Sequence, residues 1–403
     1  MGDDAWLSGA ELAHERDTDS SKTVLTSPDA ALPSTATTPP EEKQPEYLTG
    51  RRLFIVNFAI TLAATLLFLD TGIIATAIPR ITDEFNSLPD VGWYAGAYQL
   101  GSAALMPLSG KIFQRFSSKW SFLGFFGLFE VGSVLCGAAN GSKMLIVGRA
   151  VAGMGGSGVI SGALTIIASS VSPDKRAMVT GILMGVSQMG VVVGPLLGGV
   201  FTEFSTWRWC FYFNLPTGAL CLLFLTFVQI PDQIEKPSPL VVFRRLHHEL
   251  DLVGFILFAP APTMLLLALE YGGNGYSWNS STVIGLLCGA VAECILWLIW
   301  NWKAGDNALI PVSMARIRTV WASSVLQGFS MTALFIITYY LPIFFQAIQD
   351  ASPLISGVHL LPTIVSQLLA VILSGILGML LQFTPVPQYP AYLSSCPSWL
   401  TGA

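Results

Sequence analysis

The sequence predicts an all-α polytopic membrane protein with about ten transmembrane helices. Three observations carry this. Of the 403 residues, 52% are hydrophobic and 11% are charged, where a soluble domain averages about 25% charged; mean hydropathy is +0.61. A soluble fold coats itself in polar side chains, and this chain has too few. The apolar residues gather in successive runs of the length that crosses about 30 Å of hydrocarbon at about 1.5 Å per residue. Basic residues collect in alternate connections between those runs. The same composition, with a net charge of −5, excludes a nucleic-acid binder, a coiled coil and a wholly disordered chain.

Residues 1–50 carry ten acids against three bases and are rich in Ser, Thr and Pro. Such a stretch cannot bury enough apolar surface to order itself, so it is expected to be a disordered acidic tail. It lacks the basic start and apolar core of a signal peptide. The expected spans follow in order: Leu53–Ile78, Val91–Phe113, Trp120–Ala139, Met144–Ser170, Met178–Val200, Cys210–Ile230, Leu252–Leu269, Thr282–Trp300, Trp321–Ala347 and Leu354–Leu381. Internal Pro and Gly are compatible with this, because neighbouring helices satisfy the freed backbone groups.

With the N-terminus in the cytoplasm, the inner connections hold Arg51, Arg52, Lys111, Arg115, Lys119, Lys175, Arg176, Lys236, Arg244, Arg245, Lys303, Arg316 and Arg318. The outer ones keep Arg80, Lys143 and Arg208. That is a positive-inside bias, and the reverse topology inverts it. The inner connection Pro231–Glu249 reads either as a short helix on the membrane surface or as a charged linker. The N-glycosylation sequons at Asn140 and Asn279 both fall outside, and Asn279 has the longer loop. The six cysteines form no CxxC pair and no metal spacing, so neither a metal nor a cofactor is expected. A phosphate-binding GxxxxGK[ST] loop is absent, as is a hydrolytic constellation, so no enzymatic activity and no ATP-driven pumping are expected.

The fifth span is punctuated by Gly181, Gly185, Gly190, Gly194, Pro195, Gly198 and Gly199. Glycines at four-residue steps line one helix face and let a neighbour approach closely; a proline among them bends the helix. The spacing Gly-x8-Gly-x3-Gly-Pro-x2-Gly-Gly resembles the helix-five antiporter signature of the major facilitator superfamily. Other stretches agree in order. Leu69-Asp70-Thr71-Gly72 leading to Ala77-Ile78-Pro79 resembles the first-helix motif of its fourteen-spanner drug:proton antiporter branch. Gly110, Lys111, Arg115 and Lys119 stand in the stretch 110–119, where the family keeps its loop between helices two and three. Arg149-Ala150-Val151-Ala152-Gly153-Met154-Gly155-Gly156 is similar to the fourth-helix motif, and Trp207 to Pro216 to the start of helix six. Tyr339-Tyr340-Leu341-Pro342, Phe345-Gln346, Ser356-Gly357 and Leu361-Pro362 fit later helices of that branch. The chain departs from the pattern at Gln114, at Ser118-Lys119 and at Ala152.

The resemblance covers about residues 51–382 and is nearest to fungal mycotoxin and multidrug efflux pumps. It implies a major facilitator fold with about 10 of an expected 14 helices. Residues 51–230 become a six-helix N-terminal bundle, 231–250 a cytoplasmic loop, 251–302 an extra central helix pair, and 303–382 a partial C-terminal bundle; 383–403 is an atypical tail. It further implies export of a small amphipathic organic compound, a fungal secondary metabolite or toxin, by proton antiport with alternating access. The expected setting is the plasma membrane, as a monomer whose partners are lipid, protons and substrate, not nucleic acid. Two alternatives stay open: a siderophore, amino acid or drug as cargo, and a truncated inactive or regulatory variant.

A charge inside a bilayer costs several kcal/mol unless it has a partner or a water-lined cavity. Asp70, Glu130, Arg149 and Glu293 lie within expected spans. Asp70 and Arg149 match motif positions of the family. Asp70, Arg149 and Glu130 are the candidates for proton coupling, with fixed helix-holding hydrogen bonds as the other reading. Trp93, Tyr94, Tyr98 and Gln99 on the second span, Gln188 on the fifth, and Gln327, Tyr339, Tyr340 and Gln346 on the ninth stand where a central cavity could be lined. Rings with amides suit a flat, weakly charged organic substrate, and equally suit helix packing.

Overall fold

A computed structural model describes residues 47–228, 230–232, 236, 250–272 and 275–349, with isolated helical positions between 355 and 373. Residues 1–46, most of the 231–249 connection, most of the expected tenth span and the 383–403 tail lie outside the described residues. The regular elements of the described residues are helices, joined by turns and irregular segments, with one isolated bridge between Gly272 and Tyr276.

Helix α1 (Gly50–Phe85) runs on beyond its apolar stretch through Pro79 and a polar last turn. It stops where Asn86 takes the left-handed conformation, φ 47°, and donates its N–H to the Thr82 carbonyl; asparagine tolerates that region better than most residues. A short 3₁₀ turn, Leu88–Asp90, leads into α2 (Val91–Arg115). Then follow α3 (Ser118–Gly137), α4 (Ser142–Ser170) and α5 (Pro173–Phe204). The sixth expected span is a single turn α6 (Trp209–Tyr212) running into α7 (Asn214–Phe227). The seventh is two helices, α8 (Leu252–Phe258) and α9 (Pro260–Tyr271). The interruption falls at Pro260 and Pro262, which have no N–H to give the helical ladder. Helices α10 (Ser281–Ala304), α11 (Val312–Ala315) and α12 (Arg318–Ala347) complete the described chain. Among the described residues, seven helical segments are long and apolar enough to cross a membrane: α1, α3, α4, α5, Trp209–Phe227, Leu252–Tyr271 and Ser281–Asn307.

The principal packings are α1 on α5, and α4 on both α2 and α3. Glycine decides both. Gly190, Gly194 and Gly198 of α5 face α1; a Cβ at Gly194 would lie 2.8 Å from the Ile73 nitrogen, and one at Gly72 2.9 Å from the Val191 carbonyl. Helix α4 meets α3 at Gly148, whose Cβ would lie 2.8 Å from Cys136 Sγ, and meets the α2 backbone at Gly153. Backbones at such distances gain dispersion contacts that a bulkier stripe forfeits.

Two apolar clusters fill the interior. One gathers Val56, Ile60, Leu67, Phe122, Phe126, Phe129, Ile166 and Leu225; the other Leu69, Ile73, Ile81, Tyr94, Leu145, Trp207 and Phe211. They part along α1 between Leu67 and Leu69, at the level of Asp70. Outside, large apolar side chains such as Phe54, Phe227, Trp302 and Phe329 are 70–79% exposed, a surface that hydrocarbon accepts and water does not. At the start of α8, Asp251 accepts hydrogen bonds from Gly254 N, from Trp300 Nε1 at 2.9 Å and from Leu309 N at 2.7 Å, tying α8 to α10 and to the segment after it.

Candidate functional site

The buried charges lie at the seam between the two apolar clusters. Asp70 on α1 and Arg149 on α4 are each 1% exposed in their side chains and form an ion pair, Nη1 to Oδ2, of 2.5 Å. Arg149 Nε donates to the Tyr94 carbonyl at 3.0 Å, and its guanidinium lies 4.5 Å from the centre of the Tyr98 ring. Asn214, the first residue of α7, donates to Asp70 Oδ1 at 3.4 Å and to Ser133 Oγ on α3 at 3.2 Å. Five helices therefore meet on one polar cluster. The close approaches of α4 at Gly148 and Gly153 set Arg149 at this depth. A planar guanidinium suits such a place, because it grips a carboxylate and lies flat on a ring at once.

Glu130 sits on α3 one turn before Ser133. It is 8% exposed, and neither carboxyl oxygen has a hydrogen-bond partner among the described residues. Its carboxyl faces Gly218 of α7, where a Cβ would collide with it. Asn214 Oδ1 is likewise buried without a partner among the described residues. The structure thus brings Asp70, Arg149 and Glu130 into one neighbourhood, in which Asp70 and Glu130 interact electrostatically. Glu293 is remote from them in the fold, half-buried on α10.

The other candidate residues scatter. Tyr98 is buried under Arg149; Trp93 is half-buried and meets the Tyr271 ring of α9 edge-on at 6.2 Å. Gln99 and Gln327 are exposed and Gln188 is half-buried. The side chains of Tyr339, Tyr340 and Gln346 lie outside the described residues. A surface groove between Phe85–Asp90 and Gly141–Met144 contains none of these residues. In the glycine motif, Gly190, Gly194 and Gly198 pack on α1 and Pro195 touches the space beside Gly72, whereas Gly181 and Gly199 face open space. Asn140 and Asn279 are exposed.

The loop between α2 and α3 is anchored by its bases. Lys119 donates to the carbonyls of Thr226 at 2.7 Å and Val228 at 2.9 Å, at the C-terminal end of α7, where a cation is favoured. Lys111 is 7% exposed and reaches the Asn307 carbonyl at 3.4 Å. Gly110 faces open space and Arg115 is half-buried in the last turn of α2. Lys236 donates to the Phe116 carbonyl at 2.7 Å and pairs with Asp232 at 2.8 Å. Partial burial pushes the Asp232 carboxyl up, but hydrogen bonds from Lys236 and Ser118 outweigh it and hold Asp232 below the usual range.

At the opposite helix ends, Glu84 accepts from Trp207 Nε1 at 2.5 Å and from Arg208 at 2.9 Å, while Arg208 also donates to the Ala139 carbonyl at 3.0 Å. Sequence reasoning missed Glu84, Ser133 and Asn214 as members of these clusters. Asn214 carried a usable signal: it is the one amide side chain in the segment Trp209–Phe227.

The family model of the Major Facilitator Superfamily matches residues 60–388. "MFS-type transporter pigP" of Monascus ruber is 53% identical over 367 residues, 91% of this chain and 64% of the relative. "Efflux pump mokI" of Monascus pilosus is 50% identical over 341 residues, covering 83% of this chain and 63% of that protein. "Efflux pump mlcE" of Penicillium citrinum is 48% identical over 342 residues, 83% of this chain and 62% of the relative. The chain therefore spans a little under two thirds of the length of these curated relatives. Among solved structures, the proton:xylose symporter XylE aligns over 80% of this chain and 68% of its own with a TM-score of 0.54 at 16% identity, a likeness of fold alone.

Proposed function

The chain belongs to the major facilitator superfamily, and on that premise we propose that it exports a small amphipathic organic compound in exchange for protons. The proposed cargo is a fungal secondary metabolite or toxin. Two relatives that carry the words efflux pump in their names support the direction of transport. The proposed setting is the plasma membrane, with the N-terminus in the cytoplasm and the monomer as the working unit. Alternating access supplies the mechanism: helix groups rock about a midplane site, which opens to one side at a time.

The observation that carries the reading is the buried Asp70–Arg149 pair. It joins the closely packed α1–α5 unit to the α2–α4 and α3–α4 packings. A proton on Asp70 removes the charge that holds Arg149, and so loosens the bridge between these groups. Loss of that proton restores the bridge. Proton occupancy then selects between two arrangements, which is what exchange requires. The ion pair is a costly device for mere stability, since buried pairs often stabilise no more than well-packed apolar residues.

The test is export from a pump-deficient yeast loaded in turn with radiolabelled fungal metabolites, a siderophore, an amino acid and a lipophilic dye. The expected result is efflux of a metabolite or the dye that stops with a protonophore and with Asp70→Asn. Efflux that survives both refutes proton exchange.

A further inference from the structure

We infer that Glu130 is a second proton-binding site, coupled to the buried Asp70 carboxyl. This deepens the proton-exchange reading and rests on it. Glu130 is 8% exposed, and both of its carboxyl oxygens are buried without a hydrogen-bond partner among the described residues. An ionised carboxylate in such a place is shielded from bulk solvent and has no donor among the described residues, so the neutral acid is the form that fits.

Charge accounting leads to the same conclusion. The titratable groups that face this volume are Asp70 from α1, Tyr98 from α2, Cys136 from α3 itself, Arg149 from α4, Cys210 from α6 and Cys221 from α7. Arg149 is the only cation among them, and Asp70 holds it at 2.5 Å. With Asp70 ionised and Glu130 neutral, the cluster has no net charge. With both ionised, it has one uncompensated negative charge in the interior. Two coupled carboxyls with one cation, already paired to Asp70, hold one proton.

The fold also provides the means of exchange. Opposite the Glu130 carboxyl, α7 presents Gly218, the one residue type with no side chain to seal the contact. One turn along α3, Ser133 joins Asn214, and Asn214 joins Asp70. A small displacement of α7 at Gly218 admits water to Glu130. The acid then gives one proton to that water and becomes the anion; loading is the reverse transfer. Because Asn214 at the start of α7 also holds Asp70, the same displacement reaches both carboxyls.

The test uses the purified full chain in lipid nanodiscs and difference infrared spectroscopy, with no substrate and no transport step. The wild-type protein at neutral pH is expected to show the carbonyl-stretch band of a protonated carboxylic acid. Glu130→Gln removes the band, Glu130→Asp shifts it, and Asp70→Asn, which removes the competing negative charge, moves the loss of the band on an alkaline jump to lower pH. An alkaline pH jump, followed with a pH dye, should release one more proton from the wild type than from Glu130→Gln. Absence of the acid band, or a band unchanged in both Glu130 variants, overturns the inference. The Asp variant keeps a carboxyl and serves if the Gln variant does not fold. Metabolite efflux insensitive to a pH gradient, with the infrared band present, sinks the exchange reading and leaves the proton site standing.

Discussion

At 1% side-chain exposure, Asp70 and Arg149 have given up nearly all their hydration, and only their mutual contact and their hydrogen bonds replace it. Removing one partner therefore costs more than removing both. Asp70→Asn or Arg149→Met alone should each lower stability by about 3–5 kcal/mol, and the double variant by clearly less than their sum. Thermal unfolding in detergent, followed by tryptophan fluorescence, measures this; additive losses would show that the two charges do not act as a pair. Gly218 offers a second probe. Gly218→Ala places a methyl group on the Glu130 carboxyl, an overpacking expected to cost about 1–3 kcal/mol. Adding Glu130→Ala should return part of that loss, and unfolding temperatures that do not recover would place the clash elsewhere. The two paired charges were legible in the sequence because a charge inside an apolar run demands explanation. Ser133 was not, since small neutral polar residues are frequent in membrane helices, and Asn214 stood out only as the lone amide of its segment. Only the meeting of α1, α3 and α7 shows what these two hold.

Helix by helix, the first nine apolar runs coincide with described helices, but their ends and breaks came from chemistry that hydropathy does not weigh. Helix α1 continues to Phe85 because its last turn is satisfied by Asn86 and by the Glu84 contacts with Trp207 and Arg208. The expected span Leu252–Leu269 divides at Pro260, where the backbone lacks a donor. The glycine motif of α5 announced a close contact without naming the neighbour or the face. Gly190, Gly194 and Gly198 meet α1, and Gly181 and Gly199 do not. That division predicts opposite outcomes. Gly194→Leu forces α5 away from α1 and should cost about 3 kcal/mol or more. Gly199→Ala meets nothing and should be neutral or stabilising by up to about 1 kcal/mol through helix propensity. Equal effects in thermal unfolding would mean the α1–α5 face is misassigned. The connection after α7 supplies a pH-dependent contact. The Asp232 carboxyl lies below its ordinary range, so its link to Lys236 contributes above that range and is lost as pH falls through the depressed value. Protection of the Ser118 amide, which donates to Asp232 Oδ1 at 3.2 Å, relative to its intrinsic exchange rate at each pH, should fall at acid pH in the wild type. Asp232→Asn should keep one protection factor across the same interval; a wild-type protection factor with no acid step would remove Asp232 from the contact.

Across the whole molecule, the two ends of the helix array differ in charge, and this difference joins the sequence to the fold. One end gathers Lys111, Lys119 and Lys236, each donating to a backbone carbonyl of another element: Asn307, Thr226 with Val228, and Phe116. The other end has Arg208, paired with Glu84 and bonded to Ala139. The bases at the first end are the ones that the alternation of spans assigned to a single side, so charge along the chain and geometry in space agree. The proposed cytoplasmic location of the Lys111 end rests on the lipid and potential asymmetry that retains Lys and Arg inside. The orientation is open to direct measurement. An epitope at the N-terminus and another in the connection between α2 and α3 should be reached by antibody only after permeabilisation of intact yeast cells. An epitope inserted beside the exposed Asn279, between α9 and α10, should be reached without it. Opposite sidedness for the first and third positions is the expected result, because α1 to α9 cross the membrane an odd number of times in this arrangement. Equal accessibility would break the alternation, and an N-terminus reached in unpermeabilised cells would invert the proposed orientation.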